Sequence, residues 1–240
     1  MRMIFIRHGD PDYEKDSLTE KGWREAELLS KRVSKWEIEE ICCSPLGRAK
    51  ATASCTLEKL GRDAHIYEWL EEFPVKIFRE DLGRMKVPWD LKPSYWTKEA
   101  TYYDKDRWTE ATLMKTAPIG KAYQTICDGI DQFLMKYGYE RHGGYYLRTN
   151  PDEEDREKTV VFFCHLGVML AIIGHLIGAS PAVLWHGFFV APTSVTVLAS
   201  EEMNRGEAYF RCQVLGDTRH LYEGGEPVSQ SGYFTTPFQG

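Results

Sequence analysis

The chain has 240 residues, of which 42% are hydrophobic and 13% aromatic, so it can build one sizeable core, and we predict a single domain over residues 1–240. With a formal net charge of −6, the chain lacks the excess of Lys and Arg that nucleic-acid binding requires, which excludes a general nucleic-acid binder. No stretch approaches the roughly 20 apolar residues of a membrane span, and no signal peptide precedes the first apolar run, so we expect a cytoplasmic protein.

The N-terminus predicts a strand, a polar loop and a helix. Residues 3–6 are continuously apolar, which predicts a buried strand that ends in a loop containing Arg7 and His8. Open α/β sheets bind ligands at such carboxyl ends of strands. Apolar residues then recur at helical spacing from Thr19 to Trp36, with Thr19 as the expected N-cap.

A second unit of the same kind follows. Residues 39–43 predict a strand, and Ser44 as N-cap with Pro45 at the first helical position predicts the start of the next helix. A third strand is predicted over residues 64–68.

The second half of the chain continues the alternation. Residues 118–137 have a helical pattern, and residues 159–164 are the most strand-like run, leading into an apolar helix that ends near Gly178. Two more strands are predicted over residues 193–199 and 208–215. Strands alternating with helices indicate a layered α/β fold.

Three segments do not follow this pattern. Residues 152–158 are strongly charged, which favours a solvated turn over an acidic binding site. Residues 224–240 have no periodicity and predict an irregular tail. Residues 75–114 predict an insertion that lies over the sheet as a lid; this segment is rich in aromatic residues, namely Trp89, Tyr95, Trp96, Tyr102, Tyr103 and Trp108.

Four motifs carry a resemblance to a known family. They are Arg7-His8-Gly9 after the first strand, Leu18-Thr19-Glu20-Lys21-Gly22 at the first helix, Ser44-Pro45-Leu46-Gly47-Arg48-Ala49 with Thr52-Ala53, and Phe163-Cys164-His165-Leu166-Gly167. Together they resemble the histidine phosphatase, or phosphoglycerate-mutase-like, superfamily over roughly residues 1–72 and 159–200. The resemblance implies a three-layer αβα sandwich with a mostly parallel central sheet.

The residue types suit phosphate chemistry. A phosphomonoester carries about two negative charges, so its oxygens need strong donors while a nucleophile reaches phosphorus. Arg7 and Arg48 offer planar forks that bind phosphate oxygens bidentately. The resemblance makes His8 the nucleophile, with its other ring nitrogen held by an acceptor such as a backbone carbonyl. It makes His165 a second histidine that binds phosphate; taken alone, a histidine after an apolar strand is more often a core residue.

A proton donor must protonate the departing alcohol. The family takes this proton from an acid that follows the third strand, which makes Glu72 the candidate and Glu71 the alternative; both could instead be surface charges. His220, within the segment Gly216–Leu221, could also approach the site, although a structural turn is the preferred interpretation there.

The sequence therefore predicts a phosphomonoester hydrolase that acts through a phosphohistidine on a small phosphorylated metabolite, without a metal ion or another cofactor. A phosphoglycerate mutase is the alternative, but Glu72-Phe73-Pro74-Val75-Lys76 stands where mutases carry Glu-Arg-His-Tyr-Gly. A non-catalytic phosphate-binding module is the third possibility. The aromatic insertion indicates either a lid that packs on an apolar or ring-bearing leaving group or a packed cover without substrate contact. The oligomeric state is left open.

Overall fold

The computed structural model describes residues 1–149 and 157–239. Its strands are β1 (Arg2–Arg7), β2 (Pro11–Asp12), β3 (Ser17–Leu18), β4 (Glu40–Cys43), β5 (His65–Ile66), β6 (Ile77–Arg79), β7 (Arg84–Lys86), β8 (Tyr139–His142), β9 (Tyr145–Arg148), β10 (Thr159–Cys164), β11 (Val195–Asn204) and β12 (Glu207–Asp217). Its helices are α1 (Glu20–Val33), α2 (Gly47–Leu60), α3 (Pro93–Trp96), α4 (Ile119–Met135), α5 (Leu166–Ile177), α6 (Pro181–Gly187) and α7 (Arg219–Gly224).

Within these residues, one sheet of eight strands runs in the order β5-β4-β10-β1-β11-β12-β9-β8. The four strands from β5 to β1 pair in parallel, and the pairs from β1 to β8 are antiparallel, so the sheet is mixed. In the register of β1 with β10, Arg7 lies opposite Cys164. This register places the residues that follow the two strands, His8 and His165, side by side at one end of the sheet.

Two apolar cores lie on the two faces of the sheet. One includes Ile4 and Ile6 of β1 with Leu29 and Val33 of α1, and the other includes Phe5 of β1 together with residues of α4 and α5. Successive residues of β1 point to opposite faces, and both faces are covered, so residues 3–6 of the strand are all apolar. The predicted three-layer α/β fold is confirmed.

The predicted helix start, with Ser44 as N-cap and Pro45 as the first helical residue, is wrong by two residues. The helix α2 begins at Gly47, with Leu46 at the N-cap position. The Ser44 hydroxyl is used elsewhere: it lies 2.8 Å from Nε2 of His165 and accepts a hydrogen bond from the Leu46 amide. Ser44, a residue type that commonly caps helices, therefore contacts His165 instead of capping α2.

The aromatic segment 75–114 folds into the hairpin β6–β7, the short helix α3 and several 3₁₀ turns. Tyr102 and Trp108 are fully buried, and Trp108 packs edge-on against Trp185 of α6 at a centroid distance of 5.1 Å. These two rings belong to the core. The tail contains no helix or strand between residues 225 and 239. Residues 152–156 of the charged run lie outside the described part of the chain.

Candidate active site

A cavity of about 1050 Å³ opens at the carboxyl ends of β1 and β4. Its lining includes four of the predicted site residues, Arg7, His8, Arg48 and Glu72, and also Glu71. The rest of the wall is largely aromatic; its rings are Tyr13, Phe73, Trp89, Trp96, Trp185, His186, Phe188, Phe189, Tyr233 and Phe234.

His8 is buried and its imidazole has a defined orientation. Its Nδ1 lies 2.7 Å from the Gly9 carbonyl oxygen. A carbonyl only accepts hydrogen bonds, so Nδ1 carries the proton and Nε2 keeps its lone pair. Burial, reinforced by the charges of Arg7 and Arg48, lowers the pKa of His8 well below its usual 6.5. The ring is therefore neutral at physiological pH, as a nucleophile must be.

The two arginines offer unused donors. Arg7 donates from Nη1 to the Val190 carbonyl oxygen at 2.7 Å, and Arg48 donates from Nη1 to Asp16 Oδ1 at 2.6 Å. Among the described residues, Nε of Arg7 and Nε of Arg48 are buried polar atoms without a hydrogen-bond partner. Buried donors without a partner cost free energy, so these atoms mark a place where an anion is expected.

His165 lies beside His8 rather than on the cavity wall. The ring centroids are 5.1 Å apart, and His165 is fully buried. Within the described chain its Nδ1 has no hydrogen-bond partner, while Nε2 contacts Ser44. Burial lowers the pKa of His165 well below 6.5, with His8 and the two arginines adding to the effect. His165 also precedes α5, whose N-terminal dipole favours an anion.

Glu72 is bound to the first turn of α5. Its Oε1 accepts from the Phe73 amide at 2.8 Å and from the Val168 amide at 3.0 Å, and its Oε2 accepts from the Gly167 amide at 3.3 Å. Burial raises the pKa of Glu72 above its usual 4.5, although these hydrogen bonds and Arg7 oppose the shift. A raised pKa suits a proton donor. Glu71 lines the same cavity and is half-buried.

Gly167 is required by the close packing around Glu72. A Cβ atom on Gly167 would lie 2.6 Å from the Trp89 ring and 2.7 Å from Glu72 Oε1, which is too close for either. In the family pattern the glycine directly follows the histidine, whereas here Leu166 takes that place. In this chain the glycine lies one position later than in the family pattern, and at Gly167 the first turn of α5 has no side chain.

The loop after Gly9 is held through Asp10 and Asp16, two residues that the motifs did not identify. The Asp10 carboxylate accepts hydrogen bonds from the Thr19 hydroxyl, at 2.6 Å, and from the Ser229 hydroxyl of the tail. Asp16 has a left-handed backbone, with φ of 46°, and accepts from the Gly47 amide at 2.6 Å as well as from Arg48. Asp16 thereby orients Arg48, and no local sequence signal pointed to it.

His220 does not line the cavity. Its Nε2 lies 3.1 Å from the Thr193 hydroxyl, and Thr193 donates its backbone N–H to the carbonyl oxygens of Arg7 and His8. His220 therefore has a supporting role next to the end of β1. The segment itself is not the predicted turn, because β12 ends at Asp217 and α7 begins at Arg219.

Within residues 1–149 and 157–239, no group of three or more His, Cys, Asp or Glu side chains is arranged to hold a metal ion. In the same part of the chain, no helix is long and apolar enough to span a membrane.

Comparison with known proteins agrees with this geometry. A model of the histidine phosphatase superfamily (branch 1) matches residues 3–211. The chain belongs to this superfamily. The predicted family is confirmed, and so is the predicted class of enzyme, a phosphatase.

Relatives of this histidine phosphatase differ in their substrates. The adenosylcobalamin/alpha-ribazole phosphatase of Salmonella typhi is 22% identical over 198 residues, covering 78% of this chain and 84% of that one. The structure of a phosphoserine phosphatase from Entamoeba histolytica in complex with 3-phosphoglyceric acid is 20% identical with a TM-score of 0.59, covering 92% and 98%. A mycobacterial glucosyl-3-phosphoglycerate phosphatase structure is 16% identical with a TM-score of 0.59, covering 90% and 98%.

Proposed function

We propose that the protein hydrolyses a small phosphomonoester through a phosphohistidine on Nε2 of His8. The observation that carries this proposal is the hydrogen bond from Nδ1 of His8 to the Gly9 carbonyl, which leaves Nε2 as the basic ring nitrogen. The neighbouring buried donors without partners, on Arg7, Arg48 and His165, supply the positive charge and hydrogen bonds that a phosphate needs.

In the first step, Nε2 attacks phosphorus and the bond to the ester oxygen breaks. Arg7 and Arg48 bind the equatorial oxygens and stabilise the charge that develops on them. The Ser44 hydroxyl lies 2.8 Å from Nε2 of His165 and can donate to it. We assign the proton of the neutral His165 ring to Nδ1, from which it is donated to a phosphate oxygen. Glu72 gives its proton to the leaving oxygen, and the product is an alcohol.

In the second step, water attacks the phosphohistidine. The Glu72 carboxylate, which lost its proton in the first step, accepts a proton from this water. The bond between phosphorus and Nε2 breaks, inorganic phosphate leaves, and Glu72 is protonated again for the next turnover.

The proposal includes no metal ion and no other cofactor, because the protein's own donors carry the charge of the phosphate. It names a small molecule rather than a nucleic acid as the partner, since the net charge of −6 does not attract a polyanion. It also includes a cytoplasmic location, where phosphorylated metabolites are found.

The test uses 4-nitrophenyl phosphate in the presence of EDTA. We expect His8→Ala to lose the activity and His142→Ala, an exposed histidine outside the site, to keep it. Rapid acid quenching would convert a phosphohistidine to free phosphate, whereas alkaline quenching should trap labelled phosphate on the wild-type protein and none on His8→Ala. Wild-type rates in His8→Ala, or loss of activity with EDTA, would contradict the proposal. Isomerisation of 3-phosphoglycerate would instead support a mutase.

A further inference from the structure

We propose that the substrate's leaving group carries an aromatic ring and no second phosphate or carboxylate, and that Trp89, Phe189 and Tyr233 form the subsite for this ring. The inference rests on the proposed function and names the class of substrate. The cavity, at about 1050 Å³, is at the upper end of pockets that enclose ligands of many atoms. A phosphate with a short alkyl group would leave most of this volume filled with water.

Trp89 lies where the leaving group must begin. A Cβ atom placed on Gly167 would lie 2.6 Å from the Trp89 ring and 2.7 Å from Glu72 Oε1, so both groups are close to the same point. The indole is therefore next to the carboxyl that we propose protonates the leaving oxygen. The first atoms beyond that oxygen meet an aromatic surface.

Phe189 and Tyr233 lie at the phosphate end of the same cavity. The guanidinium carbon of Arg7 is 5.2 Å from the centre of the Phe189 ring. The Tyr233 ring packs against Phe189 at a centroid distance of 3.8 Å. Farther along the lining, Trp96 stacks on His186 at 4.7 Å. Aromatic walls of this kind favour a planar ring, which can stack or meet them edge-on.

The charges of the lining disfavour a second anionic group. Of the described residues that line the cavity, the only arginines are the two assigned to the phosphate. Lys92 pairs with Asp81 at 3.1 Å, and Lys76 is exposed to solvent. Two further lining residues, Glu71 and Asp90, are acidic and would repel a carboxylate or phosphate on the leaving group.

The tail supplies one of these rings through specific contacts. Glu226 pairs with Lys21 at 2.7 Å and with Arg24 at 2.8 Å, and the Ser229 hydroxyl donates to Asp10. These contacts fix the tail just before Tyr233. The family model ends at residue 211, so this wall lies outside the part of the chain that matches the family. Such a position fits an element that sets the substrate of this chain rather than the shared chemistry.

The test compares matched esters. Benzyl phosphate and cyclohexylmethyl phosphate have leaving alcohols of similar size and basicity, but only one carries an aromatic ring. We expect kcat/KM to be about fivefold or more higher for benzyl phosphate. In Tyr233→Leu and in Trp89→Leu this ratio should fall towards one, while Phe238→Leu, an exposed tail residue outside the lining, should preserve it. Circular dichroism and Tm show that each variant is folded.

Phosphoserine, which carries a carboxylate, should be hydrolysed with a kcat/KM at least about tenfold lower than benzyl phosphate. Equal values for the two matched esters, equal values for phosphoserine and benzyl phosphate, or a ratio that Tyr233→Leu and Trp89→Leu leave unchanged would overturn the inference. In each of these cases hydrolysis that depends on His8 would leave the proposed function standing. Hydrolysis of none of the esters would overturn both.

Discussion

Replacing Glu72 with Gln tests which carboxyl group donates the proton. The amide has almost the same shape as the acid, and its Oε1 can still accept from the Phe73 and Val168 amides. It brings an NH₂ group towards the Gly167 amide, so one hydrogen bond of 3.3 Å is lost. Because two of the three hydrogen bonds remain, we expect the first turn of α5 to keep its structure. The main chemical change is the loss of the acidic proton.

The expected loss depends on the leaving group. General acid catalysis contributes about 10² to 10⁴-fold, so kcat/KM for benzyl phosphate, which reports only the steps up to release of the alcohol, should fall by about 10³ in Glu72→Gln. The 4-nitrophenolate ion leaves without a proton, so its ester should lose less than about tenfold. Glu71→Gln removes a carboxylate from the same cavity, and it should lose less than about threefold with either ester.

The assay measures kcat/KM for both esters as a function of pH, because kcat also contains the second step, in which Glu72 accepts a proton from water. Burial raises the pKa of Glu72, so in the wild type benzyl phosphate hydrolysis should decline as the pH rises through this raised value and the acid loses its proton. That decline should be absent in Glu72→Gln. Equal losses for the two esters would refute the assignment of Glu72 as the acid, and a large loss confined to benzyl phosphate in Glu71→Gln would transfer the role to Glu71.

Three further predictions concern the surroundings of the site. Arg48→Lys should lower kcat/KM for 4-nitrophenyl phosphate by about 10 to 100-fold because the bidentate fork is lost, whereas Arg62→Lys at the far end of α2 should not. Gly167→Ala should lower Tm and kcat together, at a cost of about 1–3 kcal/mol in unfolding free energy, since its Cβ would meet Trp89. Burial raises the pKa of Glu25 from 4.5 to about 7, so the free energy of unfolding should depend on pH between these values. Glu25→Gln should remove this dependence.

The direction of the Glu25 effect follows from its raised pKa. The fold favours the protonated acid, so this contribution to stability is fully present below pH 4.5 and is lost as the pH rises through about 7. The loss amounts to about 3 kcal/mol at most, measurable by urea unfolding at about pH 5 and about pH 8. If the stability of the wild type rises over this interval, the argument from the burial of Glu25 is wrong. Likewise, wild-type kinetics in Arg48→Lys or in Gly167→Ala would contradict the predictions made for these two variants.

The centre of the candidate site was predictable because each of the two strands that lead to it contains a continuous apolar run. Residues 3–6 and 159–164 are buried on both faces of the sheet, which makes them recognisable without any partner. Polar residues that directly follow such strands can only lie at the carboxyl edge of a parallel sheet. The pairing of β1 with β10 then brings His8 and His165 together.

The walls of the cavity were less predictable. Aromatic composition alone does not distinguish Trp108, which is fully buried in the core, from Trp89, which lines the cavity. The contribution of Tyr233 depends on contacts between residues far apart in sequence, such as Glu226 with Lys21. A tail without periodicity gives no local signal of where it packs, and the left-handed backbone of Asp16 is likewise set by its tertiary contacts.

The same short loop supports both the proposed nucleophile, His8, and the proposed specificity wall in the tail. The Gly9 carbonyl orients His8, and the next residue, Asp10, is held by Thr19 on one side and by Ser229 of the tail on the other. Displacement of the tail would therefore remove a wall of the proposed leaving-group subsite. It would also remove one of the hydrogen bonds that support the loop orienting the His8 imidazole. Selection of the leaving group and orientation of the nucleophile are in this way physically linked, so substitutions in the tail are expected to change kcat as well as KM.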